Sequence, residues 1–342
     1  MALTRSNQFD SGTVLTESAL EGEFDAIYSG ALNLISPLTG SLAAGDNDIT
    51  GIDEVAFTDA AAAASVAGRL RRNVNNLAWH DRTGSVALQP MIGGGLYGLT
   101  LSNAADAVND ISIAVGAAVD SVPGTVLRLT SVLVKQLDAA WAVGTNAGGL
   151  DTGSIANTTY HVHLIQRTDT GVVDALFSTS ATAPTMPTSY TLRRRIGSIV
   201  RSAGTILAFT QDGDLFVWPL AVLDVSATDP GTAAVTRTLT VPAGITVLAV
   251  MNVHLERGGT SATVTALLTD MAATDVAPAI KTATQGQLVQ ISDGATTKAQ
   301  EAQVTLRTNT SAQIRSRLSV SEASTVLAIA TQGWYDTRQK DA

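Results

Sequence analysis

Residues 158–218 carry three β-hairpin signals in succession, and no other stretch of this chain restricts its fold as much. TTYHVHLIQR runs into Asp169-Thr170-Gly171, and VVDALFS runs back. Gly between two β-branched runs marks a hairpin because it takes positive φ without a Cβ clash. After a loop with Pro184 and Pro187 comes SYTLRRRIGSIVRS, where Tyr190, Leu192, Ile196 and Val200 fit a strand broken or bulged near Gly197. TILAFTQ, a turn at Asp212-Gly213, and DLFVWP follow, with Trp218-Pro219 ending the strand. The whole reads as antiparallel sheet.

This order of YHVHLIQRTDTGVVDALFS, a Pro-containing loop, RRRIGSI and FTQDGDLFVW resembles a β-sandwich module of tailed-bacteriophage structural proteins, especially tail fibres and related appendages. The likeness spans residues 98–218. A second stretch, 302–336, with the hairpin NTSAQIRSRL and the closing TQGW, resembles the ends of appendage chains of the same group. FDSGTVLTESALEGEFDAIYSGAL is similar to the N-terminal segments by which phage fibres dock on the tail and start a parallel trimer. The resemblance implies a virion part made in the host cytoplasm and released by lysis. Its implied partners are two further copies of the chain, other virion proteins of the tail or portal region, and a host cell-surface receptor. It brings no catalytic residue with it.

Two helices are expected before the sheets. Ser18 and Glu21 have capping-box spacing, and Leu20, Phe24 and Ile27 continue as an apolar stripe to Ala31 and Leu34, before Pro37. The stripe fits either an amphipathic helix lying on its own domain or a trimeric docking coil. A second helix follows from Thr58 or Asp59 as cap, the Ala60 to Ala64 run, and Val66, Leu70 and Leu77 along one face. Asn73 falls on that face, as a register-fixing core polar group if helices associate or on a solvated surface if they do not.

Seven further strands are expected near 236–241, 245–256, 262–269, 287–292, 302–308, 313–319 and 325–334, a spacing that argues a sandwich or jelly roll. The predicted organisation is a docking segment and helix (1–37), a linker and second helix forming a short coiled-coil stem (38–81), and β-sandwich domains at 82–225 and 226–342. The fold class is thus mainly β with N-terminal α-helices: two antiparallel, jelly-roll-like sandwiches, trimeric around the stem.

Chemistry is sparse. The chain lacks Cys, which excludes thiol nucleophiles, disulfides and thiolate metal sites. Its 21 Lys and Arg against 30 Asp and Glu give a net charge of −9, which argues against nucleic acid or an anionic membrane as partner. No apolar run is long enough to span a bilayer as a helix. No nucleophile elbow, HExxH, P-loop or zinc spacing occurs, so neither an enzyme nor a cofactor is expected. A polysaccharide depolymerase with a carboxylate pair built across subunits is the enzymatic alternative; a capsid decoration or baseplate and tail-hub protein is the structural one. His161 and His163, two apart on a strand, point to one face and are the weak metal candidates, because repetition around a threefold axis could gather them. The bland reading is a structural pair. Arg307, Arg315 and Arg317 alternate with apolar residues and are expected to pair between subunits.

Overall fold

The computed structural model describes residues 18, 21, 69–73, 76–80, 85–87, 94–121, 125–258, 263–279, 286–291 and 297–338. The chain divides into two compact units, Met1–Gln89 and Pro90–Ala342.

In the first unit, β1 (Arg69–Asn73), β2 (Asn76–His80) and β3 (Ser85–Ala87) form an antiparallel meander. This corrects the expected second helix and the coiled-coil stem built on it. Leu70 pairs with Trp79, Arg72 with Leu77, and Asn73 with Asn76, so Leu70, Asn73 and Leu77 lie on two strands instead of one helical face. Helix propensity is a weak prior, and the connection of two residues between Asn73 and Asn76 is a hairpin length. Ser18 and Glu21, the expected capping pair, are helical and exposed. Leu20, Phe24, Ile27 and Val66 lie outside the described residues.

The second unit begins with β4 (Leu96–Gly98), β5 (Leu101–Asn103), β6 (Asp110–Ile113), β7 (Gly116–Val119), β8 (Val126–Leu129) and β9 (Leu133–Ala140). It continues with β10 (Ala147–Leu150), β11 (Thr159–Arg167), β12 (Val173–Ser178), β13 (Tyr190–Ser202) and β14 (Thr205–Ile206). These make an eight-stranded sheet, β14-β13-β11-β12-β10-β9-β6-β5, and a three-stranded sheet, β4-β7-β8. TVLRLTSVLV, which alternates like one strand, splits between the two sheets. β10 runs parallel to both β9 and β12, so the sheet is not wholly antiparallel.

The central hairpins form as their turns dictate. His161 pairs with Ser178 and Gln166 with Val173, and Gly171 takes a φ of 72° in the turn. β13 runs unbroken opposite β11, with its register shifting beside Gly197. A Cβ at Gly197 would lie 2.6 Å from Leu101 Cδ1, so a larger residue there would require that side chain to shift.

β15 (Thr210–Asp212), β16 (Leu215–Thr228), β17 (Val235–Thr238), β18 (Leu248–Arg257), β19 (Val264–Asp270), β20 (Gln287–Ile291), β21 (Lys298–Arg307), β22 (Gln313–Leu318) and β23 (Val326–Tyr335) complete the chain. They form a five-stranded sheet, β15-β16-β23-β18-β21, facing a four-stranded sheet, β17-β22-β19-β20. The seven strands expected from 236 onward are all present. Pro219 does not end β16; pairing with β23 shifts register between Val217 and Val222 and then resumes to Thr228.

A large hydrophobic core runs through this unit, and a second, small cluster of Ile165, Leu176 and Tyr190 lies apart from it, with Trp141 and Met186 packed against it. Ala249, Met251, Val253 and Leu255 from β18 pack with Leu327 and Ile329 from β23 and with Val264, Ala266 and Leu268 from β19. Aromatic side chains bridge toward the first sheets: Phe216 stacks on Trp334 at 5.0 Å, Trp218 lies 4.7 Å from Trp334, and Phe209 lies 5.8 Å from Phe216. The chain end adds polar ties, since Asp336 pairs with Arg195 and the Arg338 carbonyl accepts from Arg194. Buried aromatics at such distances contribute beyond area alone.

Candidate functional site

His161 and His163 do share one side of β11, as their spacing requires, and that side is sealed. They are 0% and 1% exposed. His161 Nδ1 lies 2.8 Å from Ser198 Oγ, which also accepts from Arg195, while Arg195 forms a bidentate pair with Asp336 at 2.5 and 2.8 Å. His163 Nε2 donates to the Ser180 carbonyl at 3.0 Å, which fixes its tautomer. Burial, reinforced by the Arg195 charge, lowers His161 to about 4. Burial likewise lowers His163 to about 3. Both are neutral, enclosed imidazoles. No group of three or more His, Asp or Glu able to hold a metal ion occurs among the described residues.

The three C-terminal arginines act within the chain. Arg307 pairs with Asp270, Arg315 donates to the carbonyls of Ala273 and Met271, and Arg317 reaches Asp275 and the Thr232 carbonyl. Together they pin the segment after β19. Each of the three thus has a partner within the chain, and Arg307 remains 60% exposed.

Two surfaces stand out that the sequence did not single out. The first is a pocket of about 500 Å³ beside the central hairpin, walled by Trp141, Val143, Val172, Pro187 and Tyr190 with Arg167 at its polar side. A buried ion pair lies behind Trp141. β9 alternates Leu133, Lys135 and Leu137 inward, which places an ammonium in an apolar row. Lys135 Nζ meets Asp174 Oδ1 at 3.2 Å and donates to the carbonyls of Ala142 at 2.6 Å and Gly144 at 3.2 Å. Asp174 in turn accepts from the N–H groups of Gly144 and Ala175. Burial lowers the Lys135 pKa and Asp174 opposes that shift.

Trp141 sits on this network. Lys135 Nζ lies 5.5 Å from its ring centroid, its indole N–H donates to the Ala175 carbonyl at 3.0 Å, and Tyr190 meets it edge-on at 5.1 Å. The indole is therefore held in one orientation. On the rim, Arg167 grips Asp169 through Nε and a terminal nitrogen at 2.9 and 2.6 Å, and this holds the Asp169 carboxyl down at about 2.

The second surface is the outer face of the five-stranded sheet. Val217, Leu223, Val250, Ala328, Ala330 and Tyr335 point outward with Asn252, Gln303, Thr305 and Gln332 between them. Leu223 is 62% exposed, and the neighbouring bulge carries Leu220 at 83%. Two shallow grooves of about 300 and 170 Å³ run across this face. Glu256 and Glu301 lie together with His254 at one end of the face.

No family model matches the chain, and no curated protein does. Among solved structures, a Bacillus thuringiensis Cry1Da tryptic core variant aligns at 8% identity, covering 72% of this chain and 52% of that one, with a TM-score of 0.18. The aligned part is about half of that protein, and a TM-score so low carries no argument about fold or function.

Proposed function

We propose that this chain is a structural subunit of a bacteriophage particle, a tail-fibre-like appendage that assembles as a homotrimer and presents its β-sheet unit for host attachment. The reading draws on the phage-like strings over 98–218 and 302–336. The observation that carries it is the outer face of the five-stranded sheet. Copies of a chain with net charge −9 repel one another unless the mating surfaces are neutral, and the centre of this face carries no charge, its apolar side chains lying among amides and a hydroxyl. The partner at this face is therefore a second copy of the chain, so the copies meet through sheets and need no helical stem. Association also covers apolar surface that would otherwise promote disordered aggregation.

The test combines light-scattering mass, negative-stain shape and antibody labelling of phage particles from a lysate. A mass three times the chain's 35.2 kDa is expected, together with labelling of the tail. Leu223→Glu, at an exposed site, should leave thermal stability within roughly 0.5 kcal/mol yet reduce the mass to that of one chain. A compact monomer at high concentration would overturn assembly, and particles that bind no antibody would overturn the virion assignment.

A further inference from the structure

We propose that the pocket beside the central hairpin is a binding site for a neutral oligosaccharide. The inference goes beyond the appendage reading and stands on the pocket alone. Ligand pockets are mostly apolar, with a few placed polar groups, and at about 500 Å³ this one is of ordinary size. Trp141 and Tyr190 supply aromatic carbon, and Val143, Val172 and Pro187 complete the apolar lining. The C–H bonds of a pyranose ring carry slight positive charge and are attracted to the negative face of an aromatic ring.

The polar groups select among apolar-faced ligands. Tyr190 is 5% exposed, lines the pocket, and its hydroxyl has no hydrogen-bond partner among the described residues. Nor is that oxygen among the buried atoms left unsatisfied, so solvent and ligands reach it. A hydroxyl on an almost buried ring with no partner among the described residues is placed to bond a group that enters the pocket. Arg167 also lines the pocket and retains N–H groups beyond the two committed to Asp169, and the Thr188 hydroxyl on the same lining can donate and accept. Such groups suit sugar hydroxyls, each of which donates and accepts. The Arg167 charge is compensated by Asp169 and that of Lys135 by Asp174, so the pocket offers no uncompensated positive charge to a sugar carboxylate. A neutral saccharide is the class that fits.

Preorganisation supports the assignment. The Trp141 orientation is set by its bond to Ala175, by Lys135 and by Tyr190, so little ordering is required when a ligand docks.

The full chain is titrated with maltotriose and cellotriose, and in parallel with trigalacturonate, sialyllactose and a proline-rich peptide, by saturation-transfer NMR and calorimetry. Binding of a neutral trisaccharide with Kd on the order of 1 mM is expected. Trp141→Ala should weaken it at least about tenfold, since it removes the ring that carries the apolar contact. Tyr190→Phe should weaken it roughly fivefold while leaving the melting temperature unchanged, because the hydroxyl has no partner among the described residues. Absence of transfer from both neutral sugars, tighter binding of the acidic sugars or the peptide, or unaltered affinity in Tyr190→Phe would each overturn the proposal. None of these readings depends on oligomer mass or particle labelling, so this site and the appendage assignment fail separately.

Discussion

Substituting Asp174 by Asn tests how the buried ion pair behind Trp141 is held together. The change is nearly isosteric, keeps one carbonyl acceptor and removes only the charge. It leaves the Lys135 ammonium, 0% exposed, facing two carbonyls and an amide in place of a carboxylate. Breaking one side of a buried ion pair costs about 3–5 kcal/mol, because the remaining charge has neither water nor counter-ion. The Gly144 and Ala175 N–H groups keep at most one full acceptor between them, which adds about 1 kcal/mol. In a unit of this size each kcal/mol lowers the melting temperature by about 2–4 °C, so a fall of roughly 10 °C or more is expected. Lys135→Met should cost less, since Asp174 then still accepts from both backbone groups. The double variant Lys135→Met with Asp174→Asn should recover much of the loss, because no charge is then left buried while the amide oxygen still serves one of the two backbone N–H groups. Urea unfolding followed by tryptophan emission reads these differences. If Asp174→Asn costs less than about 1 kcal/mol, or the double variant is no better than the worse single, the ammonium is not held by this pair and the reasoning fails.

Two further predictions follow from other parts of the core. His161 and His163 are neutral when folded, whereas an unfolded histidine takes up a proton near pH 6.5. Stability is therefore full above that pH and falls as pH drops toward about 4 for His161 and about 3 for His163. The losses are on the order of 3 and 5 kcal/mol, and melting curves between pH 7 and pH 4 should show a steep decline that His163→Phe makes shallower. At Gly333, an added Cβ would lie 2.1 Å from the Phe216 carbonyl oxygen, so Gly333→Ala must push β23 from β16. A cost of about 3 kcal/mol is expected in urea unfolding. An Ala variant as stable as the parent would mean the two strands pack less closely there.

The sandwich strands were legible because their signals are local. Gly171 and Gly213 sit in turns where the chain has to reverse, and the β18 row Ala249, Met251, Val253 and Leu255 alternates cleanly with outward residues. The hairpin of residues 69–80 was misread as helix because Leu70, Asn73 and Leu77 also satisfy helical spacing. Over a dozen residues the two periods overlap, and only the pairing partner decides between them. Lys135 offered a signal that could have been read, a cation in phase with Leu133 and Leu137, although its partner Asp174 is 39 residues away (174 − 135). The pocket was not legible, since Trp141 follows β9 and Tyr190 opens β13, strands that are not neighbours in the sheet, and only the folded chain brings the two rings together.

Sequence alone thus determined that the chain would be rich in short strands, where most of them lie, that thiol chemistry is absent, and that His161 and His163 share one side of a strand. Tertiary structure decided whether that side faces solvent or interior, which arginines are satisfied within the chain, and which apolar residues of β16, β18 and β23 remain uncovered. The reason is one of range. Periodicity and turn chemistry act within about ten residues, whereas burial is settled by whatever segment arrives from elsewhere in the chain, as Asp336 does at Arg195.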